Sequence, residues 1–141
     1  MSGPPTGLRG RRVRGSAEEV DPMTQIETEI HQHFVVDTRR DGTVEVVVVG
    51  GEVDIATVPL LSAVLDTVLA RRPARVEVDL SGTAFLDAEA LTVLLAARRR
   101  LAARHAVLAL RDPSPVAVRL LELTRTTGFF EVVDRGLRRA G

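Results

Sequence analysis

The sequence predicts a small α/β layer fold, a mixed but mainly parallel sheet with helices packed against it. Three observations lead there. Short valine- and leucine-rich runs at 44–49, 76–80 and 107–110 have the length and composition of strands. The stretches between them repeat apolar residues every three or four positions, as amphipathic helices do. Strands separated by single helices imply right-handed crossovers, and therefore parallel neighbours.

The elements follow in order. Residues 33–37 read as a short strand, Asp41-Gly42 as a turn and residues 44–49 as a second strand, so the pair forms a hairpin that adds an antiparallel edge. The near-continuous valines of the second strand imply burial on both faces. Thr57 is positioned to cap a helix starting near Val58 and Pro59, with Leu61, Val64, Leu65 and Val68 on one face, and Arg71-Arg72-Pro73 ends it. Val76, Val78 and Leu80 alternate with Glu77 and Asp79 in a third strand that presents one face to a core. Asp87 caps a second helix from Ala88 to about Arg104, turning Leu91, Leu94, Leu95 and Leu101 inward. A fourth strand at 107–110 leads through residues 112–115 into a third helix. There Val116, Leu120 and Leu123 recur at helical spacing and Gly128 is the expected stop. Phe129 and Phe130 are expected to pack back, and Val132-Val133 to add a short edge strand.

A chain of 141 residues suits one compact domain with tails. Residues 1–30, with scattered Gly and Pro and charge clusters, are expected to form a disordered N-terminal tail; the domain is expected over 31–135 and a short tail over 136–141. Met23 is a second candidate start. Arg11-Arg12 is not followed by the apolar stretch of an export signal.

Composition narrows the function. The 19 basic residues, all arginine, balance 19 acids, which argues against nucleic acid as a partner, and four Phe are too few for a base-stacking platform. With no cysteine there is no thiolate chemistry or disulfide framework, consistent with a reducing cytoplasm. No apolar run approaches the roughly 20 residues of a membrane helix. No enzyme signature emerges: the histidines at 31, 33 and 105 lack triad partners or an evident metal set, and His105 reads as a cation at a helix C-terminus. Gly50-Gly51 follows a strand, but without lysine there is no P-loop. No cofactor is expected.

Carboxylates remain. Asp54 follows the second strand, Asp79 ends the third, and Asp87 and Glu89 open the second helix. In α/β sheets the loops beyond strand C-terminal ends are where partners dock, so these acids are expected to share one rim. Local roles account for each: Asp87 as an N-cap, Asp79 as a turn residue, and Glu89 as an anion in the first helical turn, worth about 0.3–1 kcal/mol.

The stretches Gly51-Glu52-Val53-Asp54-Ile55-Ala56, the run from Val76 through Phe85-Leu86-Asp87, and Ser114-Pro115-Val116 through Phe129-Phe130-Glu131-Val132 resemble the STAS domain of bacterial anti-sigma-factor antagonists. The resemblance covers roughly residues 33–135, in order and spacing. It implies a non-enzymatic protein-binding module whose partner is an anti-sigma factor of the serine-kinase type. In that family the Phe-Leu-Asp acid is followed by Ser-Ser-Gly or a close variant. The second serine is phosphorylated by the partner, which breaks the complex. Here the segment reads Asp87-Ala88-Glu89-Ala90, so Glu89 stands at the phosphoacceptor position without a hydroxyl.

A phosphoserine brings about −1.5 to −2 charges and three acceptor oxygens, whereas glutamate brings one charge and two. Glu89 is thus a partial mimic. Ala90, in place of glycine, adds a methyl group expected to obstruct close approach by a docked partner while favouring the helix. The switch at 89 is therefore expected to be lost. The candidate partner-binding or regulatory residues are Asp54, Ser81, Thr83, Asp87, Ala88, Glu89, Ala90 and Thr92, the three hydroxyls also having local capping or turn roles. Two alternatives stand: a nucleotide- or small-ligand-binding STAS domain, disfavoured because carboxylates repel phosphates without a divalent metal, and a STAS subunit of a stress-signalling or lipid-transport assembly.

Overall fold

The structure, a computed structural model, describes residues 33–134; the expected tails over 1–30 and 136–141, with Met23 and His31, lie outside the described residues. Strand β1 (Phe34–Asp41) turns at Gly42 into β2 (Val44–Val53). Gly42 has φ 66°, which a two-residue hairpin connection needs and glycine supplies without strain. Helix α1 (Val58–Ala70), β3 (Arg75–Leu86), α2 (Ala88–Ala102), β4 (Val107–Arg111), α3 (Pro115–Leu123), a 3-10 turn (Thr127–Phe129) and β5 (Glu131–Val133) follow. The sheet order is β1-β2-β3-β4-β5, with β1 antiparallel to β2 and every other pair parallel. The predicted α/β architecture is the one observed.

Parallel register aligns side chains in rows, and the rows assign the faces. Val47 pairs with Val78 and Val78 with Leu110, in line with Val49, Val76, Leu80 and Leu108. These form one cluster with every buried side chain of the three helices, including Leu61, Leu65, Leu94, Leu101 and Leu121. All three helices therefore cover the same face. Each fully buried leucine contributes about 1.5–3 kcal/mol relative to exposure.

The opposite face carries Val46, Glu77, Asp79, Ala109 and Arg111 in paired register. Arg111 donates to Glu77 at 2.8 Å and to Asp41 at 3.2 Å, and Arg75 bridges Glu77 at 2.9 Å and Glu131 at 2.7 Å. The network ties β1, β3, β4 and β5 together. Burial pushes the Glu77 carboxyl up, but the hydrogen bonds from Arg75 and Arg111 outweigh it and hold the group below the usual carboxylate value. The Arg75 guanidinium is held above its ordinary value by its bond to Glu131, against the effect of burial.

Three sequence expectations are corrected. Strand β3 does not stop near Asp79 but runs to Leu86, because Gly82 and Thr83 keep pairing with Gly50 and Gly51 across a register shift. A Cβ on Gly51, at φ 83°, would collide with the His33 carbonyl oxygen, so glycine is required where β2 kinks against β1. The Gly50-Gly51 pair is thus strand rather than loop. Helix α3 turns Ala117 and Leu121 inward, leaving Val116 and Leu123 exposed, and it ends at Leu123, with Thr124 Oγ1 donating to the Leu120 carbonyl at 2.7 Å. Gly128 sits further on, in the 3-10 turn. Finally, Phe130 packs into the core, whereas Phe129 is half exposed beneath the Arg98 guanidinium, 5.7 Å from its ring centroid.

Candidate functional site

The ends of β2 and β3 are fastened side by side. Val53 pairs with Leu86, and the Asp87 N–H donates to the Val53 carbonyl at 2.9 Å. That bond sets the loop after β2 beside the start of α2.

In the first loop Asp54 organises the turn into α1. Its Oδ1 accepts from the Ala56 N–H at 3.0 Å and the Thr57 N–H at 3.1 Å, while the Thr57 hydroxyl accepts from the Asp54 N–H at 2.9 Å. This corrects the expectation for Thr57. The Thr57 side chain makes no cap bond to α1; it is buried and turned back toward Asp54 and Glu52, so the carboxylate of Asp54 does the turn-binding instead. Pro59, near the helix start, suits a position where the N–H has no helical partner.

In the second loop Asp87 is the N-cap of α2, as expected: its backbone is extended and its Oδ1 accepts from the Glu89 N–H at 2.8 Å. Ala88 and Glu89 are exposed in the first turn. Ala90 is fully buried in the core, so its methyl group faces the sheet and not an approaching partner. Thr92 is exposed and its hydroxyl leans back to the Ala88 carbonyl at 3.4 Å.

The remaining predicted residues lie elsewhere or inward. Asp79 does not share the rim: it sits eight residues before Asp87, mid-strand between Val48 and Arg111, and binds the Ser81 N–H and hydroxyl at 2.9 and 2.7 Å. Thr83 is buried, its hydroxyl bonded to the Leu80 carbonyl at 2.8 Å and to the Ser114 hydroxyl at 2.7 Å. Ser114 in turn caps α3 through the Ala117 N–H. The rim proper therefore comprises Asp54, Asp87, Ala88, Glu89 and Thr92.

Sequence reasoning missed two rim residues. Ile55 is 74% exposed in the loop after β2, and Phe85, which pairs with Glu52 near the end of β3, is 48% exposed. The signal was strand alternation: next to Leu86, which enters the core, Phe85 turns to the other face of β3, and Ile55 lies in the turn beyond Val53, which ends β2 in the core. Among the described residues no three His, Cys, Asp or Glu side chains gather in a metal-holding group, and no helix is long and apolar enough to cross a membrane.

Comparison with known proteins agrees with this geometry. The family model described as "Mlab, STAS domain" matches residues 36–134. An anti-sigma factor antagonist from Mycobacterium paratuberculosis superposes with a TM-score of 0.67 at 27% identity, over 71% of this chain and 85% of that one. The anti-sigma factor antagonist SpoIIAA in its unphosphorylated form superposes with a TM-score of 0.62 at 17% identity, over 74% and 95%. The phosphorylated form of SpoIIAA, the Bacillus cell fate determinant, gives 0.58 at 17%, over 75% and 99%. No curated protein sequence matches the chain. With a family model spanning most of the chain, the chain belongs to the STAS domain family and has the fold of its anti-sigma-factor antagonists.

Proposed function

We propose that this STAS domain is a non-enzymatic protein-binding module of the antagonist type, engaging an anti-sigma factor of the serine-kinase class through the rim, with no phosphorylation switch at residue 89. The observation that carries the reading is the exposed Glu89 in the first turn of α2, with exposed Ile55 and Phe85 on the neighbouring loop after β2 and end of β3. SpoIIAA has both unphosphorylated and phosphorylated forms; the corresponding turn here offers a permanent carboxylate and no hydroxyl. A fixed charge at a helix N-terminus is favourable in itself and cannot be removed by a phosphatase.

The full chain, incubated with a kinase-type anti-sigma factor and ATP, is expected to take no phosphate within residues 87–92. A phosphate mapped there overturns the reading. Glu89→Ser is expected to accept phosphate, with Glu89→Ser plus Ala90→Gly as the closer match to the family pattern. A second reading, a constant subunit of a larger assembly, draws on the same missing hydroxyl, because a permanent contact needs no switch. Stable co-purification of a partner that is not a kinase favours it.

A further inference from the structure

We propose that two copies of this chain associate through their β1 edges, joining two five-stranded sheets into one across a two-fold axis at Thr38. Among the described residues β1 has a neighbour only on its β2 side. It is eight residues long, contains no proline, and is the edge a second strand can extend.

Hairpin geometry says which groups are available. With a two-residue connection the closing pair, Asp41 and Val44, is hydrogen-bonded, so residues 35, 37, 39 and 41 direct their backbone groups to β2 and residues 34, 36, 38 and 40 direct theirs outward. The Thr38 N–H agrees: it binds the Asp37 carboxylate at 2.8 Å and not the ladder.

Charge then selects the register. A two-fold perpendicular to the sheet sets the central residue opposite itself. Centring on Asp37, Arg39, Arg40 or Asp41 opposes like charges across the axis, which is unfavourable. Centring on Phe34, Val35 or Val36 sets no arginine of one β1 opposite an aspartate of the other. Centring on Thr38 places Asp37 opposite Arg39 of the second copy, twice by symmetry, on the face away from the helices, with Thr38 against Thr38 between them. Neither Asp37 nor Arg39 has an ion-pair partner among the described residues. On pairing, Asp37 exchanges the Thr38 N–H for the guanidinium of the second copy, and that N–H passes to the facing Thr38 carbonyl.

Pairing one strand buries less than a standard protein interface, so the association is weak and needs high protein concentration to be seen. The antiparallel arrangement turns the two rims to opposite ends of the joined sheet, leaving both open.

The test is sedimentation of the full chain from about 10 μM to about 1 mM, with amide exchange of Thr38 and Arg40 followed over the same range. A reversible dimer with slower exchange at those two amides is expected. Asp37→Arg and Arg39→Asp, each opposing like charges, should raise the dissociation constant about tenfold or more, and the double swap, which restores opposite charges, should return it to near the parent value. A monomer throughout overturns the proposal. So does a dimer indifferent to the single reversals, or one in which the double swap does not rescue, either of which assigns the contact to another surface. Protection of Thr38 that does not vary with concentration also overturns it, by assigning the edge to an intramolecular segment such as residues 1–32.

Discussion

Arg111 Nε donates to Glu77 Oε1 at 2.8 Å, and both side chains are almost wholly buried on the sheet face that the helices leave. Two charges taken out of water are tolerable there because each has further partners: Arg75 for Glu77 and Asp41 for Arg111. The pair aligns neighbouring strands more than it adds net stability. Glu77→Gln is expected to cost about 2–3 kcal/mol, because Arg111 is left buried with its main counter-charge gone. Glu77→Met combined with Arg111→Met should cost clearly less than the sum of the single changes. Urea unfolding of the parent, Glu77→Gln, the two single methionine variants and their double checks both; additive costs in the methionine set contradict the argument.

The same carboxyl sets a pH dependence. Its value in the folded chain lies below the ordinary 4.5, so its contribution is fully present above about that pH and is lost as pH falls through the depressed folded value. Thermal unfolding between pH 7 and pH 3 should show a loss of stability at the acid end. Glu77→Gln should be less stable at pH 7 and flatter in that acid range.

The two rim aspartates hold backbone, and that gives each a structural cost of its own. Asp87→Ala removes the cap bond to the Glu89 N–H and is expected to cost about 1 kcal/mol, while Asp87→Asn retains an acceptor oxygen and should cost little. Asp54→Ala loses three contacts in the turn and should cost at least as much. Denaturant midpoints with an unchanged m-value are the check.

Gly51 is a backbone requirement. Gly51→Ala must relieve both the positive φ and the collision with His33, so it is expected to destabilise by about 2 kcal/mol or more. Gly128→Ala meets open space and should change stability by less than about 0.5 kcal/mol. Equal effects at the two positions would contradict this account.

Ile55 and Phe85 make the opposite case. Because both are exposed, Ile55→Ser and Phe85→Ser are expected to leave the melting temperature nearly unchanged. Each should weaken binding to a rim-docking partner by about tenfold, as loss of an apolar anchor does. Calorimetric titration alongside thermal unfolding distinguishes this from mere misfolding.

The sequence by itself determined the order of elements, the hairpin, the Asp87 cap and the acidic residue, Glu89, in the turn that follows it. These are local facts, fixed by side-chain period, turn chemistry and residue identity. Tertiary structure decided the rest. Ser81, Gly82 and Thr83 look like a turn until Gly50 and Gly51 lie beside them, so only pairing shows that β3 continues to Leu86. Ala90, one residue after the exposed Glu89, is core because α2 rotates it onto the sheet, and Ala117 and Leu121 rather than Val116 and Leu123 face inward in α3 for the same reason. Glu77 and Arg111 are 34 residues apart and meet only because β4 aligns with β3. Helical and strand period give which residues share a face; which face meets the core, and which distant charge stands opposite, depends on the register of neighbouring strands, and a single chain does not write that register down locally.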